Sequence, residues 1–311
     1  MKFYLAPLEG ITLYHMRNAY HHHFEPADKY FVPFVVPRPK KGFSNRERMD
    51  LLPEHNQGMM TVPQILTTNA EDFLRIEESL RQWGYEEINL NAGCPSGTVV
   101  SKGRGAGMLA HLRELDCFLQ ELFAHTKARI SVKTRIGMES QEEFREILSV
   151  YNQYPLEELI IHPRVREQYY QGTPDWDCFA YAWENSKNPV IYNGDIFSRA
   201  DYERLTTRFP RLEGVMLGRG LLQEPRLIEI LKTGKTDRNR KWKDYHDEII
   251  ASYLAAGVES NHVLYKMKEI WFYLGVAFPE AEKEKKQIRK AQKLDDLQSV
   301  AAQIFALYAM K

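Results

Sequence analysis

The feature that most constrains this chain is a regular alternation of short apolar runs with longer amphipathic segments. Eight of these runs have the length and composition of strands, and most are rich in β-branched residues. The segments between them carry apolar residues at helical spacing, as Phe73, Ile76 and Leu80 show. The predicted strands are Phe3–Ala6, Phe31–Val36, Thr61–Leu66, Glu87–Asn91, Ile130–Thr134, Glu158–His162, Val190–Asn193 and Gly214–Leu217.

Eight alternations of strand and helix predict an α/β fold, a (β/α)8 barrel. A doubly wound open sheet has the same alternation, and periodicity alone does not exclude it. Polar residues at the strand ends favour the barrel, because the carboxyl ends of barrel strands meet at the face that holds the active site. These residues are Gln64, Asn91, Cys94, Lys133, Arg135, His162, Arg164, Asn193 and Asp195.

The pattern changes near Lys232, where strand signals stop and charged segments with helical spacing follow. We therefore predict a catalytic barrel over residues 1–234 and an all-helical domain over residues 235–311. From Lys232 onward the chain has 15 basic and 11 acidic residues, and the remainder has 27 and 31. This modest basic excess fits an RNA-binding surface or a solvated helical surface, and charge alone does not decide between them.

Composition limits the other classes of function. The chain has 42 basic and 42 acidic residues, so its net charge indicates neither a nucleic acid nor a membrane partner. No apolar stretch reaches the ~18 residues of a membrane span, and the apolar run at the N-terminus is too short for a signal peptide. Three cysteines without a CxxC pair predict free thiols and a cytoplasmic location. We expect no metal site, since the consecutive histidines 21–23 would point in different directions on a helix.

The segment Asn91-Ala92-Gly93-Cys94-Pro95 is the strongest candidate for chemistry. A strand ends, a glycine permits a sharp turn, and a cysteine follows directly on a loop stiffened by proline. Cys117 falls in a predicted helix and Cys178 near a helix start, so both are expected to be structural. Cys94 is therefore the predicted catalytic cysteine.

Two further patterns indicate a phosphorylated cofactor. Gly194 and Gly218 follow the seventh and eighth predicted strands, where barrels bind phosphate through backbone N–H groups. Lys133 lies at the mouth of the barrel, where an unpaired cation is unfavourable without an anionic partner. In flavin barrels such a lysine faces the flavin edge that becomes negative on reduction; a rim carboxylate is the alternative partner.

Taken together, these motifs resemble the tRNA-dihydrouridine synthases. They occur in the order and spacing of that family over residues 1–225, and the cysteine loop is the most specific of them. The matching segments are 6–11, 63–65, 89–95, 133–135, 162–168, 193–196 and 218–220. The C-terminal segment is similar to the RNA-binding helical domain of the family in position, size and charge.

The resemblance implies FMN as cofactor, NADPH as reductant and uridine in tRNA as substrate. It implies that Cys94 is the general acid that protonates C5 after hydride transfer to C6. The implied cofactor-binding residues are Pro7, Leu8, Glu9, Gln64, Lys133, His162, Asn193, Gly194, Asp195, Gly218 and Arg219. The implied substrate contacts are Asn91, Arg135 and Arg164. The oligomeric state is not fixed by the sequence, and a monomer is our working expectation.

RNA affinity is expected to come mainly from basic side chains that contact phosphates. The candidates are Arg38, Lys40, Lys41, Lys266, Lys268, Lys285, Lys286, Arg289 and Lys290. Two alternatives stay open: a flavin barrel that acts on a free small molecule, and a non-catalytic RNA-binding relative. The basic helical tail argues against the first, and the intact Cys94 segment argues against the second.

Overall fold

The computed structural model describes residues 1–38, 42–235 and 241–308. Within this part of the chain, nine parallel strands form one sheet in the order β3-β2-β1-β9-β8-β7-β6-β5-β4. The strands are β1 (Lys2–Leu5), β2 (Lys29–Phe31), β3 (Thr61–Val62), β4 (Gln64–Ile65), β5 (Glu87–Ala92), β6 (Arg129–Arg135), β7 (Leu159–His162), β8 (Val190–Asn193) and β9 (Gly214–Leu217).

The two ends of this order, β3 and β4, are one extended segment interrupted by Pro63. Its first half pairs with β2 and its second half pairs with β5, so the sheet closes on itself. Proline lacks the N–H that a continuous ladder needs, which explains the break within the predicted strand Thr61–Leu66. The eight-stranded barrel predicted from the sequence is therefore confirmed.

The second strand differs from its prediction. The sequence predicted Phe31–Val36, whereas β2 covers Lys29–Phe31 and ends before Pro33. Beyond it, only Val35 returns to the sheet, in a single bridge to Ile65. Pro33 ends the ladder early because it has no N–H to donate. The strand begins early because Lys29 is neutralised by buried glutamates, which a reading of hydrophobicity does not detect.

The α-helices of the described residues alternate with the strands as predicted, and a run of helices follows β9. They are α1 (Tyr14–His23), α2 (Asn45–Leu51), α3 (Ala70–Gln82), α4 (Gly97–Val100), α5 (Leu112–His125), α6 (Phe144–Tyr151), α7 (Trp176–Asn185), α8 (Arg199–Arg208), α9 (Arg219–Gln223), α10 (Leu227–Thr233), α11 (Lys241–Ala255), α12 (Ser260–Leu274), α13 (Glu282–Lys290) and α14 (Leu294–Tyr308). The predicted C-terminal helices are therefore present.

The chain divides into two compact units. The barrel unit comprises residues 1–7, 28–195 and 205–217, and contains all nine strands. The helical unit comprises residues 8–27, 196–204 and 218–311. The predicted domain boundary between residues 234 and 235 stays a prediction. No helix of the described residues is long and apolar enough to cross a membrane.

Candidate active site

The predicted catalytic segment forms a loop directly after β5 in the barrel unit. After β5, the side-chain oxygen of Asn91 accepts hydrogen bonds from the backbone N–H groups of Gly93 (3.1 Å) and Cys94 (2.9 Å). Gly93 packs closely on β6, since an added Cβ would lie 3.2 Å from the carbonyl carbon of Thr134. The Cys94 loop is thus held by its own strand and by the next one. The thiol-bearing residue is partly exposed.

The glycine-rich segment after Cys94 packs against it. Gly105 has φ +58°, and a Cβ there would lie 2.8 Å from the carbonyl oxygen of Cys94. That same oxygen accepts a hydrogen bond of 3.0 Å from the N–H of Ala106. Only glycine combines this backbone conformation with so close an approach. Residues 105–110 form a short 3-10 helix, and its first two residues hold the backbone of Cys94 through these contacts.

A chain of amides lies inside the barrel beneath the cysteine loop. Asn91 donates to Gln64 at 2.7 Å, Gln64 donates to Asn89 at 2.7 Å, and Asn89 donates to Ser131 at 2.9 Å. Gln64 and Asn89 are fully buried. A satisfied buried network of this kind gives its members one arrangement. Asn91, predicted to contact substrate, therefore also orients the Cys94 loop.

Lys133 lies beside this network, because β6 aligns Lys133 with Asn91 of β5. It has no hydrogen bond or ion pair with any residue that the structure describes. Burial lowers the pKa of its amine to about 7, with a further contribution from the positive charge of Arg135; Cys94 opposes the shift. An anionic ligand beside this amine would raise its pKa and so favour its charged form.

Arg135 lies two residues further along β6, and its guanidinium bonds to the protein backbone. It donates to the carbonyl oxygens of Gly93 (3.0 Å), Val165 (3.0 Å) and Tyr169 (2.7 Å), and it is almost completely buried. It thereby joins the cysteine loop to the loop that follows β7. The predicted substrate contact of Arg135 stays a prediction, and the structure assigns its guanidinium to holding these two loops.

His162 is the last residue of β7 and Arg164 follows the strand, as predicted. The guanidinium of Arg164 contacts the carboxylate of Asp195 at 3.1 Å through Nη1, and donates to the carbonyl of Gly172 at 2.7 Å. Its Nη1 also lies 3.2 Å from Nε2 of His162. The fully buried Arg164 therefore links two of the predicted cofactor residues, His162 and Asp195. A carboxylate paired with arginine is less able to repel a nearby anion.

Asn193 and Gly194 lie at the end of β8. The side-chain amide of Asn193 donates to the carbonyl oxygen of Met216 on β9 at 2.8 Å. A Cβ at Gly194 would overlap the hydroxyl of Tyr192, which in turn accepts from Trp176 at 3.0 Å. The turn therefore requires glycine, because Tyr192 occupies the space that a side chain would need. Pro7, the remaining predicted cofactor residue of this unit, comes just after the end of β1.

The other predicted cofactor residues belong to the helical unit. The N–H of Leu8 donates to the hydroxyl of Thr12 at 2.8 Å in the turn that contains Glu9. Gly218 is the N-cap of the short helix α9, and the guanidinium of Arg219 lies 5.4 Å from the ring of Phe197. Their predicted roles stay predictions.

One residue of the barrel mouth was missed by the sequence analysis. The half-exposed ring of Tyr170 lies 6.0 Å from the ring of His162 and 5.7 Å from the guanidinium carbon of Arg135. The preceding Tyr169 has φ +49°, which is rare for a residue with a side chain. The signal in the sequence was the pair of tyrosines shortly after the polar end of the seventh strand.

The predicted absence of a metal site concerned the three consecutive histidines of α1. Nδ1 of His22 and Nε2 of His23 each lie 2.7 Å from an oxygen of Glu248 on α11, so both side chains serve a contact within the helical unit. Among the described residues, no group of three or more histidine, cysteine, aspartate or glutamate side chains could hold a metal ion.

This fold is shared with flavoenzymes of known structure. The old yellow enzyme from Trypanosoma cruzi superposes with a TM-score of 0.55 at 10% identity, over 78% of this chain and 91% of the other. Morphinone reductase superposes with a TM-score of 0.54 at 11% identity, over 76% of this chain and 86% of the other. At such identities the likeness shows the fold, a barrel of the type found in flavin oxidoreductases.

The family is shown by sequence. The family model described as dihydrouridine synthase (Dus) matches residues 4–307, so the chain belongs to the dihydrouridine synthase family and is a flavin-dependent oxidoreductase. It is 27% identical to the tRNA-dihydrouridine(16) synthase of Shewanella oneidensis, over 97% of this chain and 98% of that protein. It is 24% identical to tRNA-dihydrouridine synthase B of Pasteurella multocida, over 75% of this chain and 69% of that protein. The family predicted from the motifs is confirmed.

Proposed function

We propose that this protein is a tRNA-dihydrouridine synthase that uses FMN and NADPH. The observation that carries the proposal is the pairing, at one end of the barrel, of a rigidly held Cys94 with the unpaired, partly buried Lys133. Family membership supports the reaction, and the likeness to flavoenzyme barrels supports the type of cofactor. Action on tRNA also makes a cytoplasmic location part of the proposal.

The residues of the barrel mouth fit a flavin. Lys133 needs an anionic partner, and a reduced isoalloxazine ring carries negative charge along one edge. Gln64 lies in the same buried network and can offer hydrogen bonds to the polar edge of that ring. The glycine turn after β8, where Arg164 neutralises Asp195, would hold the phosphate end. His162 and Pro7 complete the barrel-unit residues that would hold FMN.

The chemistry that a bound FMN, reduced by NADPH, would supply is the hydride that C6 of the uracil ring receives. Cys94 then gives the proton of its thiol to C5, so that the C5–C6 double bond becomes a single bond with one hydrogen added at each carbon. The thiolate left on Cys94 is reprotonated from solvent. Asn91 and Gly105 hold the backbone of this residue, so the loop that carries the thiol keeps one position.

The substrate position that we propose is residue 16 of tRNA. The support is that the tRNA-dihydrouridine(16) synthases of Shewanella oneidensis and Vibrio vulnificus match this chain over at least 95% of both proteins, whereas that of Escherichia coli matches it over 74% of its own length. The relative named synthase B is matched over only 69% of its length. A reductase of free small molecules is the alternative, since old yellow enzyme shares the fold.

Two measurements test these proposals. Dihydrouridine is mapped in tRNA from cells that lack the protein; loss at position 16, with restoration by the wild-type gene, is expected. Loss at another position would reject the assignment of residue 16 alone. Unchanged dihydrouridine, together with turnover of free pyrimidines by the purified protein, would reject the function. The purified protein should also release FMN, and release of FAD would contradict the cofactor proposal.

A further inference from the structure

A pocket that contains none of the predicted catalytic residues lies between α12 and α13 of the helical unit. Its volume is about 450 Å³. The apolar part of its lining includes Phe272, Val276 and Ile288. Phe272 is 77% exposed and Val276 is 55% exposed, although both could have packed in a helical bundle. A large aromatic ring and a neighbouring aliphatic side chain are therefore left open at the edge of this pocket.

The rest of the lining is positively charged. Lys268, Lys285 and Arg289 line the pocket, and no acidic residue is among the lining residues that the structure describes. Lys268 donates to the carbonyl oxygen of Ala291 at 2.6 Å, which fixes its amine at the end of α13. Lys285 pairs at 2.6 Å with Glu282, an exposed residue outside the lining. Arg289 is exposed and has no ion pair within the described residues.

Gly275 lies close to other residues that line the pocket. A Cβ at Gly275 would lie 3.1 Å from Cδ of Lys285 and 3.9 Å from the indole of Trp271. Trp271 also lines the pocket, and its indole N–H has no hydrogen-bond partner in the part of the chain that the structure describes. Space, an open aromatic face and cations thus occur together on two helices.

We propose that this pocket binds one unpaired nucleotide of the tRNA substrate, with the base against Phe272 and the phosphate at Lys285 and Arg289. This proposal rests on the proposed function. An aromatic face beside a cationic rim is the combination that binds unpaired nucleotides, because every base has a π-face and every nucleotide carries a phosphate. An acidic peptide would satisfy the cations but would leave the aromatic face without a matching group.

No residue of the pocket belongs to the predicted catalytic set. The effect of the bound nucleotide would therefore be on tRNA affinity and on the KM for tRNA. Reduction of the flavin by NADPH should be unchanged in every pocket variant, because that half-reaction needs no RNA. This separation makes the pocket testable in the intact, flavin-loaded protein.

The first test removes the aromatic ring and one positive charge of the pocket in separate variants. Affinity for a fluorescently labelled tRNA transcript is measured by anisotropy over a range of KCl concentrations. Phe272→Ala should weaken binding by about tenfold with an unchanged salt slope, because stacking releases no counterions. Arg289→Gln should weaken binding and lower the salt slope by about one. Phe272→Trp should restore the affinity of the wild type.

Matched controls come from the same unit. Lys286→Gln removes the same charge from the same helix α13 at a position that does not line the pocket, and should change affinity and slope less than Arg289→Gln does. Leu307→Ala removes a 59% exposed apolar side chain from α14 and should leave affinity unchanged. Gly275→Leu, which fills the pocket without removing an aromatic or a charge, should weaken binding as Phe272→Ala does.

The failures of the two proposals can be told apart. If the wild type reduces uridine in tRNA but Phe272→Ala and Gly275→Leu bind tRNA like the wild type, the pocket proposal is overturned while the function stands. If the wild type neither binds tRNA nor reduces it, the function fails first. Tight binding of free UMP that depends on Phe272 would overturn the proposal in favour of a small-molecule site. Competition with tRNA by a poly-glutamate peptide and not by single-stranded oligouridylate would overturn it in favour of an acidic protein partner.

Discussion

Two lysines at opposite ends of the same barrel have opposite surroundings. Lys29, at the amino-terminal end of β2, lies 2.7 Å from Glu87 and 3.0 Å from Glu158, and all three side chains are buried. Lys133, near the carboxyl end of β6, has no such partner within the described residues. Lys29 therefore has opposite charges beside it without a ligand, whereas the charge of Lys133 becomes favourable only when an anion binds. This is the physical difference between a stabilising end and a functional end of a barrel.

The charge cluster around Lys29 includes a further buried polar group, Tyr4. Glu158 also accepts a hydrogen bond of 2.5 Å from the hydroxyl of Tyr4, and burial together with this glutamate raises the pKa of that phenol. Burial raises the pKa of Glu87 too, although Lys29 opposes the shift. Each group therefore depends on its neighbours, and removal of one member leaves the others buried without compensation.

The largest expected effect is the loss of Lys29. Lys29→Met should lower the free energy of unfolding by about 3–5 kcal/mol, because Glu87 and Glu158 would be left buried and unpaired. Denaturant unfolding at pH 7 measures the change. The matched control is Lys2→Met: Lys2 is half-exposed and lies 3.7 Å from Glu158, so its loss should cost less than about 1 kcal/mol. Equal losses of unfolding free energy in the two variants would contradict the assignment of a stabilising role to the buried Lys29.

Lys133→Met should have the opposite sign in the flavin-free protein. The pKa of Lys133 is lowered from 10.5 to about 7, so folding is opposed by its charge below pH 7, and the opposition fades as the pH rises towards 10.5. The substitution should therefore stabilise the flavin-free protein at pH 6, by at most roughly 5 kcal/mol, and change little at pH 10. Thermal unfolding at the two pH values measures this. A destabilisation at pH 6 would show that Lys133 is paired after all.

The smallest expected effect is the uptake of less than one proton by Lys133 when the flavin binds. Lys133 is partly deprotonated at pH 7.5 in the flavin-free protein, and a bound anionic flavin edge should raise its pKa. Anaerobic binding of reduced FMN should then take up a proton fraction below one, measured by calorimetry in buffers of different ionisation enthalpy. Lys133→Met should abolish most of this uptake. Uptake that is identical in both proteins would assign the proton to another group.

The sequence predicted the barrel and the strand-end position of its polar residues, because both depend on local periodicity. It placed Cys94, Lys133 and His162 correctly at the carboxyl ends of β5, β6 and β7. It could not show whether a strand-end side chain faces a ligand or a neighbouring loop. Arg135 and Arg164 illustrate this, since the first bonds to the carbonyl of Val165, 30 positions away, and the second to the carboxylate of Asp195, 31 positions away.

Other features depend on pairing between distant segments. Lys29 reads as a polar residue before a strand, and only its glutamate partners, 58 and 129 positions away, make it a buried strand residue. The pocket at Phe272 depends on the packing of α12 against α13, which periodicity does not define. Of the basic residues predicted to contact RNA, Lys40 and Lys41 lie outside the described residues, whereas Arg38 lies 3.6 Å from Glu47.

The central claim, that Cys94 performs chemistry at the functional end of the barrel, is tested most directly by separating the two half-reactions. The protein is reduced anaerobically with NADPH, and oxidation of its flavin by tRNA is then followed by absorbance. Cys94→Ala should be reduced like the wild type but reoxidised by tRNA about 10²-fold more slowly, because a general acid is lost. Cys117→Ala, which changes an exposed cysteine on α5, should match the wild type in both steps. Reoxidation of Cys94→Ala at the rate of Cys117→Ala would contradict the account.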